Sequence, residues 1–149
     1  MPLSQPPRDD DGRVIPHDHD EIEVQDAVVR GVSEEHVVSD GQGGVRVSSA
    51  FISGSSLDRD PTGGMSVDVS KLLAEDNVDV QKRFQNDRFI GAVQLPVEQL
   101  RNEQQKVGYD PLSENKYHGG VWGDLKRPGA RKKRILKSGT VVCGDVAIA

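Results

Sequence analysis

Two short strand-like segments carry an arginine, two serines and an aspartate, and a later one carries a histidine ahead of paired glycines. These residues, Arg46, Ser48, Ser49, Asp68 and His118, are the ones whose types and spacing bear on chemistry. Along an extended strand Arg46 and Ser48 share a side, with Val47 and Ser49 on the other. A guanidinium beside a hydroxyl is suited to an anion or phosphate, because its planar fork binds oxyanions bidentately. Asp68 adds an acceptor for a ribose hydroxyl or an orienting partner for an imidazole. The plainer expectation is a cross-strand pair of Arg46 with Asp68, the serines satisfying nearby backbone. His118, next to Gly119 and Gly120, suits a general base or a hydrogen bond to a ligand. Its plainer role is a strand-edge histidine that caps a turn carbonyl, with the glycines allowing close packing.

Two charged stretches lie at the ends. Residues 1–26 hold eight acids against Arg8 and Arg13, while residues 126–137 hold seven bases and no acid. In the first stretch, His17-Asp18-His19-Asp20 alternates metal-ligand types. It stands on a Pro- and Asp-rich segment without apolar periodicity, so a solvated arm and no metal site is the expectation. In the second, Arg131, Lys132, Lys133 and Arg134 are candidates for nucleic acid or an acidic partner. Four consecutive bases spread all round a helix, and no aromatic residue is interleaved for base stacking. A solvated helix, docking the acidic arm, is the plainer reading.

Other chemistries find little footing. Cys143 is the one cysteine, so no internal disulfide and no cysteine zinc site can form. It lies in an apolar stretch and reads as a small buried hydrophobe. The chain has no Gly-x-Ser-x-Gly elbow, phosphate-binding loop or Gly-x-Gly-x-x-Gly, so nucleophilic hydrolysis is not expected and no cofactor is implied. No apolar run resembles a signal peptide or a membrane span, which suggests a reducing cytoplasm and no membrane partner.

The elements that must position these residues are short. At 149 residues, 34% hydrophobic and 29% charged, the chain has the material for one domain with a modest core. Residues 23–30, 45–52, 65–69, 89–95, 105–109 and 117–122 read as strands. Ser70 is placed to cap a short helix with Leu72 and Leu73. Pro96 suits the start of another over 97–101, and a basic helix is expected after Pro128. The sum is an α+β fold: a single small domain of short, mainly antiparallel strands with two or three short helices. It divides into an acidic, flexible arm (1–21), the α+β domain (22–123), and a basic segment with an apolar tail (124–149).

Several pieces follow one another in an order that resembles a widespread family of small bacterial proteins carrying no established activity. They are Val29-Arg30, Arg46-Val47-Ser48-Ser49-Ala50-Phe51, Ser66-Val67-Asp68, Asp110-Pro111 with Asn115, and His118-Gly119-Gly120-Val121-Trp122-Gly123. The resemblance covers roughly residues 24–123 and implies one compact bacterial domain. It attaches no chemistry to any residue. A second likeness is in order alone. Arg30 or Arg46, then Ser48 or Ser49, then Asp68 or His118, is similar to the order in ADP-ribosyltransferase-like folds, without their late catalytic glutamate.

The leading expectation is a non-catalytic binding or accessory module of a bacterial or phage system. Its polar strand surface, with Arg46, Ser48, Asp68 and His118, would hold a protein partner or a small anionic ligand. The alternatives are a nucleotide-handling enzyme of ADP-ribosyltransferase-like type and a nucleic-acid binder acting through residues 126–137. Convergence of Arg46, Asp68 and His118 in one cleft is what the enzyme reading requires.

Overall fold

The strands of the main sheet are two-faced, and the two faces are covered by different layers. The computed structural model describes residues 3–53 and 64–148; most of the polar connection expected before Gly64 lies outside the described residues. The elements run β1 (Ala27–Val32), β2 (Val37–Ser39), β3 (Val45–Val47), β4 (Met65–Val69), α1 (Ser70–Glu75), α2 (Val80–Phe84), β5 (Gly91–Pro96), α3 (Val97–Asn102), β6 (Lys106–Tyr109), β7 (His118–Trp122), α4 (Arg131–Lys137) and β8 (Thr140–Gly144). Short 3-10 turns precede β2 and follow β3. One sheet has the order β6-β7-β4-β1-β5-β8, and β2 pairs β3 in a separate ribbon. The strand pairs are antiparallel. The fold is therefore α+β, with four short helices among the described residues where two or three are expected.

Val28, Val67, Val69, Val93, Leu95, Val107 and Val121 turn to one face of the sheet and form the main core. Phe51, Val97, Leu100, Ile135 and Leu136 cover them. Burial of this many aliphatic side chains, each contributing about 1.5–3 kcal/mol, compensates for the few aromatics. The second face is smaller. There Val29 and Ala92 meet Leu73 from α1 and Phe84 from α2.

Neither terminal segment stands apart. Leu3 and Ile22 are buried in the main core, so the acidic segment is anchored on the domain rather than a loose arm. Asp18 explains part of this: it accepts from the backbone N–H of Val107 and pairs with Arg101 Nε at 2.9 Å. The backbone N–H of His19 then donates to the Val107 carbonyl, closing the otherwise free edge of β6. The basic and apolar tail is equally built in, as α4 covers the core and β8 completes the sheet. No boundary at residue 123 divides the packing. Ser70 departs from its expected role as a cap. β4 runs straight into α1, leaving Ser70 as the first helical residue with a buried hydroxyl that has no hydrogen-bond partner among the described residues.

One side chain on the core face is charged. Arg30 alternates with Val28 and Val32, and it reaches across a gap where β1 and β4 no longer pair. Its Nε donates to the Phe51 carbonyl at 3.0 Å and its Nη1 to the Ser66 carbonyl at 2.7 Å, with the guanidinium 5.4 Å from the Phe51 ring centre. Burial pushes Arg30 down to about 10, which leaves it a cation at neutral pH. The guanidinium thus stands in for missing strand-to-strand hydrogen bonds.

Two outcomes test these contacts. Arg30→Met leaves two carbonyls without their donor and should lower the unfolding free energy in urea by about 3 kcal/mol, whereas Arg30→Lys should recover only part of it. Glu103, held below its ordinary 4.5 first by its hydrogen bonds from Arg134, binds its proton less tightly folded than unfolded. Its contribution is present above 4.5 and lost as pH falls through the depressed folded value. The urea midpoint of Glu103→Gln should therefore fall less steeply on acidification than that of the parent.

Candidate functional site

The second face of the sheet gathers most of the polar residues that bear on chemistry. Asp68 on β4 stands directly opposite His118 on β7, and Ser66 directly opposite Gly120. The Val69 N–H donates to the Tyr117 carbonyl, which makes Asp68 with His118, and Ser66 with Gly120, non-hydrogen-bonded pairs. In such pairs the side chains come closer together. Val67 and Val69 face the main core, so Ser66 and Asp68 must emerge on this side.

Asp68 is only 6% exposed, and a carboxylate so buried needs its lone pairs filled. Arg83, one turn into α2, donates through Nε to Oδ2 at 2.7 Å. Asn115, in the turn before β7, donates through Nδ2 to Oδ1 at 2.8 Å. The ring of contacts closes with Arg83 Nη2 donating to Asn115 Oδ1 at 2.9 Å. The guanidinium also lies 5.2 Å from the Tyr117 ring centre and 5.8 Å from that of Phe84. These contacts use Nε and Nη2, and among the described residues Nη1 has no hydrogen-bond partner. The neighbouring Tyr117 hydroxyl donates to Asp76 at 2.8 Å, and that bond raises the phenol above its ordinary 10.0. Asp76 is in turn held below its usual range, first by Lys116 and then by Tyr117.

His118 is tied on both sides. Its Nδ1 lies 2.8 Å from the Asp110 carbonyl and 3.5 Å from the Asp110 carboxylate, while Nε2 is hydrogen-bonded to Ser66 Oγ. The capping of a turn carbonyl expected for this residue is thus present, together with a serine contact that strand spacing does not reveal. Gly120 makes room beside it for the Trp122 ring, which folds over that position: a Cβ there would lie 2.5 Å from the ring.

The other candidates lie elsewhere. Arg46 is exposed on the ribbon, opposite Val38. Its neighbour Val47 turns into the main core, so Arg46 faces away from that core while Asp68 leaves the sheet by the opposite face. The main core lies between them, and the expected pairing of Arg46 with Asp68 is replaced by Arg83 with Asp68. Ser48 stays extended past the end of β3, its N–H donating to the His36 carbonyl, before the chain enters a 3-10 turn, so it follows Arg46 on the ribbon rather than joining Asp68. Arg46, Asp68 and His118 therefore do not converge in one cleft. Arg30, the other arginine in the transferase-like order, is spent on backbone carbonyls of the core.

The basic cluster is partly consumed by one acid. Arg134 donates through Nε and Nη2 to the two carboxylate oxygens of Glu103 at 2.7 and 2.8 Å. Arg131 is buried, donates to the Asp124 carbonyl and lies 3.8 Å from Glu103. Lys133 is exposed and Lys132 half-buried. The acidic segment meets Arg101 and Lys71 rather than this helix. The two imidazoles of that segment are engaged with backbone: His17 with Ile15 and Tyr109, His19 with Ser4 and Glu21. Among the described residues no three His, Cys, Asp or Glu side chains are gathered as metal ligands. No helix of the described residues is long and apolar enough to cross a membrane.

The missed residues are Ser66, Arg83 and Asp110 as partners of the candidates that do meet. Arg83 sits in a five-residue helix whose pattern is too short to register as an element. Ser66, Asp68, Asp110, Asn115 and His118 all belong to the motifs that carry the resemblance noted above. No family model, curated protein or solved structure matches this chain.

The network makes a quantitative prediction. In a double-mutant cycle of Asp68→Ala and Arg83→Ala, measured by chemical unfolding, the coupling should be about 2 kcal/mol, because the two groups share one closed set of bonds.

Proposed function

We propose that this chain is a binding or accessory module of a bacterial cytoplasm whose second sheet face holds a small anionic ligand, with Arg83 as the anchor. One observation carries the reading: the Arg83 guanidinium is fixed in place before any ligand arrives. Asp68 and Asn115 hold two of its nitrogens and two aromatic rings flank it. The third nitrogen has no hydrogen-bond partner among the described residues. A donor whose orientation is already determined loses little entropy on binding, which favours carboxylate or phosphate oxygens over a merely attractive charge. The carboxylate of Asp68 offsets the charge of Arg83, so recognition here depends on direction more than on field. A protein partner would use the same contact through an acidic side chain.

The nucleic-acid reading has less support, since Arg131 and Arg134 are committed to Glu103. The transferase-like reading loses its geometric basis with Arg46 on the far side of the core.

Thermal unfolding with millimolar inorganic phosphate, AMP or citrate tests the proposal. The parent protein should gain stability by mass action. Arg83→Lys, which keeps the charge and loses the planar fork, should lose that gain, and Arg46→Ala should keep it. An equal shift in the Arg83→Lys variant would sink the reading.

A further inference from the structure

Once the bonds around Asp68 are closed, a second set of groups on the same face remains: Ser66, His118 and Asp110. They form a line. Ser66 Oγ is hydrogen-bonded to His118 Nε2, and on the far side of the ring Nδ1 lies 2.8 Å from the Asp110 carbonyl. A carbonyl oxygen only accepts, so in the neutral ring Nδ1 carries the proton. Nε2 is then left with a lone pair aimed at the serine hydroxyl. This is the tautomer that a base needs to take a proton from serine. The Asp110 carboxylate, 3.5 Å from Nδ1, supplies a counter-charge for the imidazolium that such a transfer creates.

Exposure and surroundings fit the same role. The Ser66 side is open to solvent, whereas the His118 side chain is 14% exposed and shielded. A nucleophile has to be reached, and its base is better kept from water. Directly across the ladder from Ser66 the floor is Gly120. The Trp122 ring lies over that glycine, and Gly64 packs against the same ring. Next to the hydroxyl the floor thus carries no Cβ, and the Trp122 ring beside it is packed away at 7% exposure.

We propose that Ser66 is a nucleophile activated by His118 and that it acts on esters of carboxylic acids. Ser66 Oγ adds to the ester carbonyl carbon while His118 Nε2 takes the hydroxyl proton. The tetrahedral adduct collapses by breaking the bond to the alkoxy oxygen, which leaves as the alcohol or phenol with the proton returned by His118. A water molecule, deprotonated by the same imidazole, then adds to the acyl group on Ser66. Collapse releases the carboxylic acid and restores the hydroxyl. Water is the one co-reactant, and nothing is oxidised or reduced. Asp110 is a positioning residue: it holds the ring in the productive tautomer through its backbone carbonyl. This goes beyond the anion-binding reading, which rests on Arg83 and needs no covalent step.

The test uses the full chain with an alkyl fluorophosphonate, whose phosphorus is attacked by activated serine hydroxyls with loss of fluoride, and with an aryl acetate followed by phenol release. Peptide mapping should find the phosphonyl label on Ser66 in the parent and no label in Ser66→Ala. His118→Ala should label more slowly by on the order of a hundredfold, the contribution of a general base. Asp110→Asn, which retains the carbonyl and loses the counter-charge, should still take the label on Ser66 but more slowly than the parent. Absence of label on Ser66, or equal labelling rates in the parent and His118→Ala, overturns the proposal. Phosphate stabilisation measured in Ser66→Ala separates the two readings: if it persists without any labelling in the parent, the covalent step fails and the Arg83 site stands.

Discussion

A carboxylate buried on the face of a sheet is the constraint around which this molecule is arranged. Asp68 stands where an apolar residue would cost nothing, and an unpaired charge at that depth would cost several kcal/mol. Its two oxygens are filled from two separate places, Arg83 in α2 and Asn115 in the turn before β7. Each bond therefore fixes an element that is otherwise weakly held. The five-residue α2 is too short to persist on its own, and its register against the sheet follows from Arg83 as well as from Phe84. The turn is pinned likewise, because Asn115 also accepts from the Tyr117 N–H and so sets where β7 begins. Satisfying one charge organises a whole side of the fold.

The same arrangement decides what remains available for function. With Asp68 committed to Arg83 and Asn115, it is not the group that orients His118, although the two residues face each other across the ladder. The imidazole turns instead to Asp110 on one side and Ser66 on the other. Two polar centres result on one face, one built on a guanidinium and one on an imidazole. They differ in physical character: the first is a closed ion pair that presents a directed donor, and the second is a proton path ending at an exposed hydroxyl.

Charge near the termini follows a similar logic of local pairing. The acidic segment and the basic helix carry opposite net charges and would attract at long range, yet the ion pairs each makes are with nearer partners. Asp18 meets Arg101, and Glu103 meets Arg134 and Arg131. Contact and hydrogen bonding outweigh a distant field that salt screens within about 10 Å. Apolar anchors decide the rest, since Leu3, Ile22, Ile135 and Leu136 draw both segments onto the core.

Sequence alone determined the class of the fold and several of its strands. Alternation at 65–69, 105–109 and 117–122 is a local property, so β4, β6 and β7 are legible within a residue or so. The apolar faces follow from the same periodicity. What it did not contain is which polar residue meets which. Arg46 and Asp68 look like partners on type and spacing, and only the assignment of β3 to a separate ribbon, with the core intervening, separates them. Arg83, silent in the pattern, becomes the true partner because Val80 and Phe84 lay a short helix over the sheet. The three groups at Ser66, Asp110 and His118 come from β4, a turn and β7, and no motif of contiguous residues encodes them. Side-chain periodicity is set by neighbours in the chain, whereas these encounters are set by sheet order and register, and those exist only once the tertiary structure has formed.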